Sequence, residues 1–336
     1  MKKIFIFLMM VIVSLCAADS ESVDNKKVVD SEWDSNIFST YEIEGVNEAK
    51  IYLATTQDGG FLFGGFESPI EGRSRCNPVN KEIKNLARKD LPKEVHILCG
   101  DFLNGNFKEG RFESIILKNG KIVVPTLHTQ FTTKQINMRY DLSKKIGMSY
   151  TAICSPNQEI QEVLNRFYNM SFSCENMRER FIPILKQGLN TNTSTQEEEY
   201  HQITISNSIS YFDGKTLVVQ EGSNVYNGGA HGKSAENATI FDYQGNRIDI
   251  ESLMDKESPV LKEKLWNIYL QKYKPFIQAT EFNISTTLTL EYDGIGFIYQ
   301  PYEIQPYSSG IPHLVLPFKD AKLFFKGTVA VQYLFE

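Results

Sequence analysis

Hydrophobic and polar residues alternate along most of this chain, and glycine-containing turns interrupt the alternation at short intervals. A period of two residues predicts strands that bury one face. Ala49 to Thr55 and Phe61 to Phe66 flank Asp58-Gly59-Gly60. Phe112 to Lys118 and Lys121 to Thr126 flank Asn119-Gly120, the pair favoured by a type I′ hairpin turn. Further hairpins are expected from Gln202 to Gln220 around Asp213-Gly214, from Ala238 to Ile250 across Gln244-Gly245-Asn246, and from Thr287 to Tyr302 across Asp293-Gly294. Apolar runs from Leu314 to Leu316 and from Thr328 to Phe335 read as closing strands, and Gln130 to Tyr150 as a strand followed by a loop.

Helical spacing enters at four places. Pro78 to Asp90 reads as a helix. Ser155-Pro156-Asn157-Gln158 reads as a helix start with Ser155 at the N-cap, and Ile160, Val163, Leu164, Phe167 and Tyr168 line one face after it. Asn176 to Gln187 is a second helical piece, bent or shortened by Pro183. Ser258-Pro259 opens a helix to about Lys274, with Val260, Leu261, Leu265, Ile268, Tyr269 and Tyr273 on its inner face. Hairpins with helices inserted between them predict an α+β fold of antiparallel sheets. Gly188 to Glu199, with one aliphatic residue, reads as a linker. The expected layout is therefore two domains, residues 41–188 and 200–336, joined by 189–199.

The N-terminus changes the picture from fold to compartment. Lys2-Lys3 precede an apolar run from Ile4 to Leu15, and Cys16-Ala17-Ala18 offers small residues before a cleavage point after Ala18. This is the pattern of a secretory signal peptide (1–18), followed by a polar leader (19–40), and it implies a periplasmic protein without a later membrane-spanning segment. A lipid-modified Cys16 is the less favoured reading, because Leu15 stands where a small residue is wanted. In an oxidising compartment the remaining cysteines, Cys76, Cys99, Cys154 and Cys174, predict two disulfides with three connectivities open. Local pairing is favoured. A helix over 78–90, about 18–20 Å long, and a returning strand from Lys93 would bring Cys99 beside Cys76. Cys154–Cys174 requires the chain to reverse near Asn169.

Composition excludes more than it proposes. The 336 residues carry a formal charge of −6; without residues 1–18, which hold two lysines and no acid, 33 basic residues face 41 acids and the charge is −8. An acidic chain without a basic stripe is a poor nucleic-acid binder. No phosphate loop, dinucleotide fingerprint or G-x-S-x-G elbow is present, and His96, His128, His201 and His313 stand isolated, so no metal or cofactor is expected. Glu281-Phe282-Asn283-Ile284-Ser285 fits an extended N-glycosylation pattern and makes Asn283 a candidate glycan acceptor.

Two stretches stand out for chemistry. Tyr226-Asn227-Gly228-Gly229-Ala230-His231-Gly232 places one imidazole in a nearly bare backbone that suits a tight loop or a close approach. Tyr299-Gln300-Pro301-Tyr302-Glu303-Ile304-Gln305-Pro306-Tyr307 gathers aromatics around one acid. In this order, with Phe241 to Ile248 between them, the two stretches resemble the RsiV-like family of bacterial extracytoplasmic domains over about residues 200–330. The resemblance implies an α+β domain without an established general activity. The family's namesake is an anti-sigma factor whose extracellular part binds lysozyme, and related domains accompany peptidoglycan deacetylase modules. Anti-sigma activity is not expected to carry over, since no cytoplasmic segment precedes the signal sequence. The expectation is an envelope-binding module, with lysozyme or peptidoglycan fragments as partners and Tyr226, Asn227, His231, Tyr299, Tyr302, Glu303 and Tyr307 as binding residues. The alternatives are a hydrolase or deacetylase acting on cell-wall glycans through His231 and Glu303, and a purely structural or assembly protein.

Overall fold

The computed structural model describes residues 28–30, 34–44, 46, 48–69, 72–100, 103–192, 200–325 and 332–333. The signal sequence, most of the leader, linker residues 193–199 and most of the strand expected from Thr328 to Phe335 lie outside them. Among the described residues the protein is mostly sheet with four α-helices, in one large mixed sheet and one three-stranded antiparallel sheet. This is an α+β fold. Contacts divide the chain into two compact units, neither of them continuous in sequence. The first holds residues 1–33, 134–208 and 221–234, the second 34–133, 209–220 and 235–336. Of the expected linker, residues 189–192 lie in the first unit and 193–199 lie outside the described residues.

In the first unit β10 (Thr126–Asp141) and β11 (Ile146–Cys154) form a hairpin, where a strand followed by a loop was expected. The short β1 (Val28–Asp30) pairs with β10. Two helices follow, α1 (Gln158–Tyr168) and α2 (Met177–Asn192), and β12 (His201–Phe212) then returns parallel to β11. Asn157, not Ser155, caps α1, accepting from the Ile160 amide at 3.0 Å. Asn169 ends the helix at φ 49°, a left-handed turn that reverses the chain and lets Cys174 bond Cys154. Pro183 does not shorten α2, which continues to Asn192. Phe181 on that helix packs against Tyr150 of β11 at 5.4 Å and against Tyr168 and Phe172, building an aromatic core.

The second unit begins with an antiparallel meander in which each strand pairs with the next: β2 (Asp34–Glu42), β3 (Lys50–Thr56), β4 (Phe61–Ser68), β5 (Gly72–Pro78), β6 (Glu94–Cys99), β7 (Leu103–Lys108), β8 (Arg111–Leu117) and β9 (Ile122–Val123). Strand β2 corrects the leader reading at residues 34–40: Phe38, Ser39 and Thr40 are buried there, so this stretch belongs to the folded sheet despite its polar composition. The helix expected over 78–90 is absent. Two 3-10 turns, Lys81–Asn85 and Arg88–Asp90, take its place, and Cys76 and Cys99 meet because β5 and β6 set them directly opposite each other. The Asn119-Gly120 turn also differs from type I′. Only Gly120 has positive φ, at 81°, and the Gly120 amide bonds the Leu117 carbonyl, which is a type I turn closed by a left-handed glycine. Val95, Ile97 and Cys99 alternate inward along β6 onto Leu103, Phe107, Phe112 and Ile115.

The same unit contains the three-stranded sheet β16 (Thr287–Glu291), β17 (Gly294–Ile298) and β18 (His313–Pro317), with β17 central and buried throughout. Helix α3 (Pro259–Lys272), capped by Ser258, presses Leu261, Leu265 and Tyr269 into a core shared with Leu290, Phe297 and Leu316, with Ile268 and Tyr273 at its margin; Val260, expected to face inward, is exposed in the first turn. The remaining strands are β13 (Thr216–Tyr226), β14 (Lys233–Asp242) and the two-residue β15 (Arg247–Ile248), which pairs with β14; β10, β12, β13 and β14 each contribute residues to both units.

Candidate functional site

The segment after β17 is a chain of hydrogen-bonded turns. The Gln300 side chain donates to the Glu236 carbonyl at 2.8 Å and accepts from the Glu236 amide at 3.0 Å, pairing with the β14 backbone much as a strand residue would. Glu303 accepts from the Gln300 amide at 2.8 Å. The Tyr302 amide bonds the Gln305 carbonyl, and the buried Gln305 side chain donates to Tyr269 Oη and the Lys274 carbonyl, each at 2.9 Å. Tyr269 itself donates to the Ile304 carbonyl at 2.8 Å. Anchored this way, the turn holds Tyr302 at φ 70°, a conformation that costs a bulky residue about 1–3 kcal/mol. Tyr302 is 56% exposed, with its ring 6.2 Å from that of Tyr307. Buried bonds thus hold a strained aromatic in place at the surface.

Beside it lies a titratable cluster. His313 of β18 places Nε2 2.5 Å from Glu236 and Nδ1 3.6 Å from Glu291 of β16. Glu236 also accepts from Gln220, and Glu291 pairs with Arg75 of β5 at 3.0 Å. Lys272, whose ammonium is lowered by burial, donates to the His313 carbonyl at 2.8 Å. Burial alone would lower the His313 pKa; hydrogen bonds to Glu236 and Glu291, and their charges, overcome it and raise it to about 9. At neutral pH the ring is a cation between two carboxylates. Asp293, pushed up by burial, stands in the field of the same Arg75 and Glu291.

The residues singled out in the sequence divide between the units. Tyr299, Tyr302, Glu303 and Tyr307 belong to the second, Tyr226, Asn227 and His231 to the first. Tyr299 is a core residue: 2% exposed, packed on Phe282 at 5.6 Å, and raised in pKa by burial. Glu303 spends an oxygen on the turn. In the glycine loop, Tyr226 donates to the Gly229 carbonyl at 3.0 Å, His201 Nδ1 lies 2.7 Å from Asn227 Oδ1, and His231 Nδ1 lies 2.8 Å from the Gly232 carbonyl. Of the three glycines only Gly232 makes a close approach, to Asn224; Gly228 and Gly229 face open space. Asn283 is exposed. Sequence reading missed Glu236, Glu291, Gln220 and Arg75 and left His313 isolated, because the five come from five separate strands.

Residues 251–319 match the model of a family described as "Protein of unknown function (DUF3298)". Over that stretch the chain is similar to the DUF3298 family. The matched limits take in α3, the three-stranded sheet, the Tyr302 turn and His313, while Glu236 and Arg75 lie outside them. Among solved structures, a DUF3298-family protein from Bacteroides fragilis aligns at 16% identity with a TM-score of 0.48, covering 61% of this chain and 97% of that one. A DUF3298-family protein from Pseudomonas aeruginosa aligns at 13% identity with a TM-score of 0.41, covering 58% and 94%. No curated protein matches the sequence. Among the described residues no helix is long and apolar enough to cross a membrane, and both disulfides suit an oxidising compartment.

Proposed function

We propose that the chain is an exported periplasmic binding protein whose Tyr302–Tyr307 surface takes an envelope partner, either lysozyme or a peptidoglycan fragment. The observation that carries this reading is Tyr302, exposed and held at positive φ by bonds that reach the buried Gln305 and Tyr269. An ordered aromatic pair binds at low entropic cost, whether it meets a sugar face or a protein anchor. The net charge of −8 expected for the mature chain favours encounter with a basic protein. The RsiV-like resemblance of the two motifs points to the same partners, and Tyr226, Asn227 and His231 remain candidate contacts on the first unit. The competing hydrolase or deacetylase reading has weaker support, since Glu303 and His231 both bond nearby backbone.

Calorimetric titration of the mature chain with lysozyme and with soluble muropeptides tests the proposal. We expect micromolar binding to at least one, weakened at least tenfold in Tyr302→Ala/Tyr307→Ala while the thermal midpoint holds. Binding to neither, or binding indifferent to the double variant, removes its main support. Product release from peptidoglycan that vanishes in a folded His231→Ala variant would favour the enzyme instead.

A further inference from the structure

A second concave feature lies in the meander, away from any motif noticed in the sequence. Residues of β4, β5 and the two 3-10 turns line a half-open cavity of about 380 Å³, within the range of small-molecule sites. Its walls include Phe61, Phe63, Leu86 and Leu91. The polar groups are distinctive: Arg75 and Arg88 line the cavity and no acid does, in a chain where acids outnumber bases 41 to 35. Arg88 is braced from behind, donating to the Ser35 carbonyl at 2.8 Å and to Asn36, so its guanidinium is pre-set. Arg75 gives Nη1 to Glu291 and is 41% exposed, which leaves part of its donor fork to a ligand. Cys76, bonded to Cys99 across β5 and β6, belongs to the same wall and fixes it before any ligand arrives.

We propose that this cavity is a binding site for an amphiphilic carboxylate: an apolar chain or ring among the phenylalanine and leucine side chains, its head group on Arg75 and Arg88. Guanidinium forks match carboxylate geometry, and an apolar body supplies the burial that an exposed ion pair alone does not. The two parts together define the ligand class. An inorganic anion would leave the apolar walls wet, and a neutral lipid would gain no charge-assisted bond from the exposed part of Arg75.

Calorimetric titration of the full mature chain with decanoate, its neutral amide and inorganic phosphate provides the test. Decanoate is expected to bind at least tenfold tighter than decanamide, and phosphate not at all. Leu86→Glu at the 44% exposed rim and, separately, Arg75→Gln are each expected to weaken decanoate at least tenfold; the first keeps its thermal midpoint, and the second stays folded although it gives up the Glu291 pair. The proposal is overturned if decanoate does not bind, if the amide binds as well, if phosphate alone binds comparably, or if neither folded variant alters decanoate affinity.

Discussion

Two ionic clusters in the second unit use similar side chains to opposite ends. In the first, Arg73 reaches Asp213 at 2.9 Å, Glu67 at 2.8 Å and Tyr211 Oη at 2.7 Å. Asp213, with a side chain 1% exposed, also accepts from the Lys215 and Thr216 amides, and Tyr52 donates to Glu67. Phe318 and Tyr333 lie against the guanidinium. Burial pushes the phenols of Tyr52 and Tyr211 far up, so they stay neutral. In the second cluster His313, 22% exposed, sits between Glu236 and Glu291 with Arg75 outside them, and its charge changes within an accessible pH range. The sealed cluster specifies packing; the open one can respond to solvent and ligand. Tyr292 divides them, its ring 4.7 Å from Tyr211 and its phenol within the field of both Asp213 and Glu291.

The largest effect should come from opening the sealed cluster. Asp213→Ala takes one of two carboxylates from a buried guanidinium and the acceptor from the Lys215 and Thr216 amides, and should cost about 3–5 kcal/mol in urea unfolding, whereas Arg73→Met/Asp213→Leu should cost less than Asp213→Ala alone. Next is the pH response of the open cluster. The folded pKa of His313, about 9, lies above its unfolded value of 6.5, so its stabilisation is full below 6.5 and is lost as pH rises through 9. The stability lost across that window should be roughly 2–3 kcal/mol, and His313→Asn should flatten the curve. The divider comes third. A Cβ on Gly65 would meet Tyr292 at 1.9 Å, so Gly65→Ala should cost about 1–3 kcal/mol and disturb both clusters. If it shifts only one, Tyr292 is no divider. The smallest effect has the opposite sign: Tyr302→Gly relieves the positive φ and should raise stability by about 1 kcal/mol while removing the exposed ring.

Much of the fold was legible because turns announce themselves locally. Asp213-Gly214, Asn119-Gly120 and Gly245 all stand where strands reverse, with the glycine at positive φ in each case. The disulfide pairs were legible too, although the route to one of them was not. Residues 78–90 have helical spacing, but Pro78 closes β5 and Leu86 and Leu91 line a cavity, so tertiary contacts override a short segment's propensity. The discontinuous units were illegible because long strands pass from one to the other with no change of composition. The His313 cluster was hidden for a related reason. Glu236, Glu291 and His313 are ordinary polar positions on alternating strands, and only strand order makes them neighbours.

The parallel pairing of β11 with β12 has a consequence for assembly. β10 and β11 are joined by a few residues and can zip together locally, whereas β12 meets β11 only after both helices and the linker have been traversed. Closing so long a loop carries an entropic cost that the hairpin avoids, so β12 should dock late. During synthesis the β10–β11 hairpin would wait with one edge open until α1 and α2 have formed and the chain has returned. The order of events is thus set by connectivity, and the edge that β12 finally covers is the one most in need of shelter while the protein folds.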